Sequence, residues 1–272
     1  MENIIGHEKV KIILKKIIDE NKVGHAYMFV GKEGIGKKLV AIAFAKQIMN
    51  LDGSTFNESD FKIILPENDL IKVEQIRKII NEVYLKPVYS KHKVIVIDDA
   101  DKMNANAQNA LLKVLEEPPM YATLILVVSN KEKIIKTILS RVTEITFDNL
   151  TNQELEKIVG KAIDLDYARG SASKALSLLE GNYYEMATQL ITAMDEKDFL
   201  KLNKKMTEAK QSDVVIVKLL EMIKIMYHKN MKEDTYAKIK KIELLDDTIK
   251  NLNRNANADL ALDKLMIEIC RV

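Results

Sequence analysis

Only one cysteine occurs among the 272 residues, Cys270, two positions from the end. That excludes an internal disulfide and a cysteine zinc cluster, and it leaves dithiol redox chemistry without a basis. No apolar run reaches the roughly 18 residues that a membrane-crossing helix needs. The N-terminus, Met1-Glu2-Asn3-Ile4-Ile5, lacks the basic-then-apolar order of a secretory signal. A cytoplasmic protein without a membrane partner is therefore expected. An excess of charge is missing too: 42 basic and 40 acidic residues leave +2, too balanced for a chain that coats nucleic acid by charge alone. Any DNA contact is expected to be local or shared with partners. Arginine is scarce, with five (Arg77, Arg141, Arg169, Arg254, Arg271) against 37 lysines. Where solvated charge suffices the chain uses lysine, so an arginine, with its planar fork of donors, carries more information here than usual. No carboxylate pair is set for acid–base work, and no serine or cysteine has the setting of a nucleophile.

What is present begins with Gly31-Lys32-Glu33-Gly34-Ile35-Gly36-Lys37, a G-x-x-x-x-G-K loop followed by Lys38 where Ser or Thr is usual. In a working loop the glycines turn backbone N–H groups toward phosphates, the lysine reaches the terminal phosphates, and the hydroxyl ligates Mg²⁺. Here the cradle survives and the metal ligand is replaced by a cation. The regular expression alone arises by chance in roughly a few such chains per hundred, so context decides. His25 to Val30 reads as a buried strand and Leu39 to Met49 as a helix, which gives strand, glycine loop and helix in the required order.

A helix is expected over residues 8–22, a strand at Phe61 to Leu65 after the turn-rich stretch Leu51 to Asp60, and a helix at Val73 to Tyr84 that Pro87 closes. Lys93 to Ile97 is a β-branched run ending in Asp98 and Asp99, as suits a central parallel strand. Asn104 can cap the next helix, which Pro118-Pro119 stops. Thr123 to Ser129 is a further buried strand, a short helix runs to about Ser140, and Thr143 to Phe147 is a last strand. This alternation predicts a parallel α/β core over 1–148. From the capping box Thr151-Asn152-Gln153-Glu154 onward only helical periodicity remains, and breaks at Gly170-Ser171 and Gly181-Asn182 divide it into a small helical piece, 149–182, and a larger helical domain, 183–272. Met194, Met206, Met222, Met226 and Met231 read as core or interface filling.

An acid at the end of a buried strand after such a loop is where a nucleotide-binding sheet holds Mg²⁺, which singles out Asp98. Asp99 is one methylene shorter than the Glu that usually follows and orients water. Ser129 and Asn130 end the adjacent strand, where a polar group can touch a γ-phosphate. Arg141, in Ser140-Arg141-Val142, is expected at the domain edge, able to reach a neighbouring subunit's phosphates. His25 and His92 lack a second metal-type ligand at suitable spacing and read as structural.

Together, His25 to Phe29, the loop Gly31 to Lys37, Val94 to Asp101 with Met103, Gln108 to Pro119 and Ile138 to Arg141 resemble the bacterial clamp-loader branch of the AAA+ proteins, and within it the delta prime subunits of DNA polymerase III. Gly170 to Leu176 resembles the second-sensor helix and Asn255 through Leu265 the end of the collar domain. The resemblance implies an AAA+ core, a small helical lid and a helical collar. It also implies a ring with delta and tau/gamma subunits that places the sliding clamp on primed DNA, in which this type of subunit is the stator and its Ser-Arg arginine, here Arg141, completes the neighbour's ATP site. The branch's four-cysteine zinc module is missing, the second sensor's arginine is Lys174, and Lys38 and Asp99 weaken the chain's own site. The degenerate nucleotide site is thus Gly31, Gly34, Gly36, Lys37, Lys38, Asp98, Asp99, Asn130 and Lys174. No cofactor is required: ATP or ADP is bound weakly at most, Mg²⁺ lacks its hydroxyl ligand, and zinc is excluded. Negligible ATP hydrolysis by the chain alone follows, against the alternative of a tau/gamma-like ATPase motor; a branch-migration-type AAA+ motor is the third reading.

Overall fold

In the computed structural model the chain is described except for residues 2, 52–55, 58, 161–164, 181, 182, 213, 214, 230–234 and 255. Gly181-Asn182, Met231 and Asn255 lie outside the described residues. The chain divides into two compact units, 1–154 and 155–272.

The first unit carries α1 (Glu8–Asp19), β1 (Ala26–Val30), α2 (Lys37–Met49), β2 (Phe61–Ile64), α3 (Val73–Val83), β3 (Lys93–Ile97), α4 (Ala105–Glu116), β4 (Ala122–Val128), α5 (Lys136–Leu139) and β5 (Thr143–Thr146). The five strands form one parallel sheet in the order β2-β3-β4-β1-β5. β3 and β4 are buried along their whole length, as their predominantly apolar runs require, whereas edge strand β5 buries only Ile145. Because side chains alternate across a strand, each central strand feeds two cores. Met28, Ile95, Ile97, Leu124 and Leu126 pack with α3, α4 and α5. Tyr27, Phe29, Val94, Val96, Ile125 and Val127 pack with α1 and α2. Each such side chain contributes about 1.5–3 kcal/mol by leaving water, so the sheet is held from both faces.

Local signals start two helices where the sequence places them. Asn104 Oδ1 accepts from the Ala107 N–H at 2.9 Å and so caps α4. Thr151 and Glu154 form the reciprocal box: the Thr151 N–H donates to Glu154 Oε2 at 2.7 Å and the Glu154 N–H to Thr151 Oγ1 at 3.3 Å. The short helix expected before Ser140 is split, a 3₁₀ turn at Lys131–Lys133 and then the four residues of α5.

Beyond β5 the described regular elements are helical: α6 (Asn152–Val159), a 3₁₀ turn at Leu165–Ala168, α7 (Ala172–Glu180), α8 (Tyr183–Asp195), α9 (Phe199–Lys210), α10 (Ile216–Lys229), α11 (Thr235–Asn253) and α12 (Ala258–Arg271). Met194, Met206 and Met222 lie in the core that α8 to α12 share. In that core Lys241 is buried, and its Nζ donates to Met194 O at 3.2 Å and to Asp195 Oδ1 at 2.8 Å. A cation thus sits on a C-terminal carbonyl of α8, where the helix dipole favours it. Tyr227 donates to the same carboxylate at 2.9 Å, and burial, followed by the Asp195 charge, pushes its phenol well above the usual range. Lys241→Ala is expected to destabilise the second unit by about 2 kcal/mol, less than a fully buried pair would cost because Asp195 is half exposed. Lys241→Met, which keeps the stem, should recover part of that loss in a thermal melt; equal melting points for wild type and Lys241→Ala would refute the assignment.

Candidate functional site

The chain leaves β1 at Val30 and enters the glycine loop at the C-terminal end of the sheet, where open α/β sheets place their ligands. Gly31 is required by close approach: a Cβ there would stand 2.8 Å from Phe147 O and from Ile35 Cδ1. Gly34 (φ 76°) and Gly36 (φ 102°) take left-handed backbone conformations that glycine adopts without strain. Gly36 then caps α2, whose first residue is Lys37. The loop is braced by a residue that the sequence reading passed over. His7, itself left-handed at φ 58°, donates from Nε2 to Ile35 O at 2.7 Å and sets its ring edge-on against Phe147 at 5.0 Å. A lone histidine ahead of a helix carries no such signal; only folding brings it under the loop.

Lys37 is 4% exposed and folds back on the loop itself, donating to Gly31 O and Lys32 O at 2.6 Å each and to Ser129 Oγ at 3.1 Å. Burial lowers its pKa below the ordinary lysine value, opposed by the charges of Asp99, Asp101, Asp98 and Glu33.

The three acids after β3 each have a partner. Asp98 Oδ2 lies 2.9 Å from Lys38 Nζ. Asp99, left-handed at φ 49°, lies 3.0 Å from Lys102 Nζ, which also reaches Asp69 at 2.7 Å. Asp101 accepts from the N–H groups of Ser129 at 3.0 Å and Asn130 at 3.3 Å, tying the end of β4 to the turn after β3. The Asn130 side-chain Oδ1 meanwhile accepts from the Glu132 N–H. An octahedral Mg²⁺ site of the usual kind needs the loop hydroxyl and the strand-end carboxylate together. Here the first is an ammonium and the second is bonded to it, so these residues do not fit Mg²⁺. Among the described residues no group of three or more His, Cys, Asp or Glu side chains is placed to hold a metal ion. Lys174 lies in the second unit, exposed, on the first turn of α7.

Arg141 sits elsewhere. It directly follows the turn that ends α5 and precedes β5, whose Thr143 pairs with Tyr27 at the start of β1. The loop follows the far end of β1, beside Phe147, whose N–H donates to Val30 O at 2.7 Å. At about 3.3 Å per strand residue the two lie roughly 15 Å or more apart, at opposite ends of one parallel sheet. The guanidinium donates from Nη1 to Thr137 O (2.9 Å) and Ser140 Oγ (3.0 Å), and Nη2 lies 3.1 Å from Glu116 Oε1. Its side chain remains 35% exposed in a shallow depression shared with His25, Leu115 and Thr143.

The sequence profile of a family described as "DNA polymerase III, delta subunit" matches residues 6–151, more than half of the chain. The chain belongs to that family. DNA polymerase III subunit gamma of Buchnera aphidicola subsp. Acyrthosiphon pisum is 26% identical over 83% of this chain and 76% of its own length. DNA polymerase III subunit delta′ of Bacillus subtilis is 31% identical over 54% of this chain and 49% of its own length. Of the DNA polymerase III subunit tau/gamma of Haemophilus influenzae, 35% identical over 51% of this chain, only 22% of the length is matched. Among solved structures, a DNA polymerase III gamma subunit-related protein from Thermotoga maritima superposes with a TM-score of 0.65 at 18% identity, over 95% of this chain and 98% of that one. The α/β AAA+ core with a helical C-terminal part and the clamp-loader-branch resemblance drawn from the sequence are thereby borne out. Gamma, tau and delta prime names all occur among the family relatives, so the choice among them rests on the chain's own residues.

Proposed function

We propose that the chain is a delta prime-like subunit of a DNA polymerase III clamp loader, a stator that helps load the sliding clamp onto primed DNA without being a motor itself. The observation that carries the reading is the contrast between the two ends of the sheet. At one end Lys38, Lys102 and backbone N–H groups occupy the acids that would hold metal or orient water. At the other, an accessible arginine stands too far from its own loop to serve it. Such an arginine acts on the phosphates of a neighbour. In this reading residues 1–148 form the AAA+ core, 149–182 the lid and 183–272 a collar, with delta and tau/gamma subunits as ring neighbours and the clamp and primed DNA met within the assembly. Lys174 is the cationic remnant of the second sensor.

The test is ATP hydrolysis by the purified chain, alone and then mixed with delta and tau/gamma subunits, clamp and primed DNA. No turnover above background is expected from the chain alone, while the mixture's DNA-stimulated turnover should require it. The intact glycines and Lys37, together with the gamma and tau relatives, favour a tau/gamma-like motor as second reading. Robust hydrolysis by the isolated chain would establish that reading in place of the first.

A further inference from the structure

In a working phosphate loop, the side chain after the loop lysine and the acid at the end of another parallel strand of the sheet act on one object, the Mg²⁺ that bridges the nucleotide's phosphates. In this chain the same two positions are Lys38 and Asp98, and they bond to each other at 2.9 Å. The carboxylate is the more buried partner, 15% exposed against 40% for the ammonium, so Lys38 closes over Asp98 from the solvent side.

We propose that Lys38 is a built-in cation standing in place of Mg²⁺, so that the loop receives the phosphate groups of a nucleoside di- or triphosphate without a metal ion. The inference rests on the phosphate-loop reading of residues 31–38 and is independent of any role of Arg141. A divalent ion bound to Asp98 would either displace Lys38 or stand beside its ammonium, a double positive charge next to a single one. The neighbouring acids offer no second foothold, since Asp99 is bonded to Lys102 and Asp101 to two backbone N–H groups. Anion binding keeps its donors. An ammonium has three, and Asp98 uses one of those on Lys38. Lys37 is held by two carbonyls and a hydroxyl, neutral acceptors that an anionic phosphate oxygen outcompetes because it adds the attraction between opposite full charges. Two adjacent ammonium groups and the N-terminus of α2, 13 residues long, then face the phosphates.

The test is calorimetric titration of the full chain with ATP and with ADP, each in EDTA and in millimolar Mg²⁺. Wild type should bind with the same affinity in both conditions. Lys38→Thr, checked for folding by circular dichroism, should bind at least about tenfold more tightly with Mg²⁺ than without, a gain of about 1.4 kcal/mol. Wild-type affinity that rises about tenfold or more with Mg²⁺ would overturn the proposal, as would no binding of either nucleotide at millimolar concentration. A folded Lys38→Thr that stays indifferent to Mg²⁺ would also sink it. If that variant does not fold, the wild-type comparison decides alone. None of these outcomes bears on turnover in the assembly, so the stator reading stands or falls separately.

Discussion

Arg141→Ala is expected to lower the DNA-stimulated ATP turnover of a reconstituted loader by at least about tenfold while leaving the assembly intact. An arginine supplied in trans is worth about 10³–10⁵ at the site it completes, and the remaining sites of a ring soften the observed loss. The side chain contributes little to its own fold. Its partners are Thr137 O, Ser140 Oγ and the half-exposed Glu116, and exposed pairs of this kind are worth about 0–1 kcal/mol. A melting point close to wild type is therefore expected beside the kinetic defect, and co-elution with delta and tau/gamma subunits should persist. Arg141→Lys should restore little, because an ammonium cannot present the two parallel N–H donors that a phosphoryl group in transfer engages. Unchanged turnover in Arg141→Ala would remove the trans role altogether.

Much of the core was legible because its signals are local. β3 and β4 announce themselves as apolar runs rich in β-branched residues, since a strand buried on both faces has no polar side to show. The caps at Asn104 and at Thr151 with Glu154 were readable because a cap is a matter of residues three apart. The glycine loop was readable for the same reason. What the sequence could not show is pairing across distance. Lys38 was visible as a missing hydroxyl, but its bond to Asp98 joins residues 60 positions apart. Asp101 is one acid among three after β3, and its grip on the end of β4 depends on the parallel register. His7 braces Ile35 from 28 positions away. The helical half was recognisable as helical, whereas its buried Lys241 was one lysine among 37, with nothing in the sequence to separate it from the solvated ones.

Asp60 is the largest stability effect that sequence reading missed, an acid at the end of a turn-rich stretch where solvated acids are ordinary. It is fully buried just before β2, and its carboxylate accepts from the N–H groups of Val88 (2.8 Å), Tyr89 (2.8 Å) and Ser90 (2.9 Å). These belong to the segment that joins α3 to β3. Lys93, also buried, closes the other side by donating to Glu82 O at 2.9 Å and Leu85 O at 2.6 Å, the last carbonyls of α3 and its exit. Burial by itself would raise the Asp60 pKa. The three N–H groups and the Lys93 charge outweigh it, and the carboxyl lies below the usual aspartate value. Asp60→Ala leaves three N–H donors, that of Ser90 buried, without an acceptor and the buried Lys93 without its counter-charge, and should cost about 3–5 kcal/mol, a large share of the roughly 5–15 kcal/mol that holds a domain together. Asp60→Asn, which keeps one oxygen, should cost less. Since the folded pKa is depressed, the carboxylate's contribution is complete above the unfolded value near 3.9 and disappears as pH falls through the folded one. The urea-stability gap between wild type and Asp60→Asn should therefore be flat from about pH 8 to 5 and narrow below about pH 4. Amide exchange at Val88, Tyr89 and Ser90 should quicken in both variants before the sheet opens. A gap that widened on acidification, or unchanged protection at those three amides, would show that Asp60 does not hold this turn.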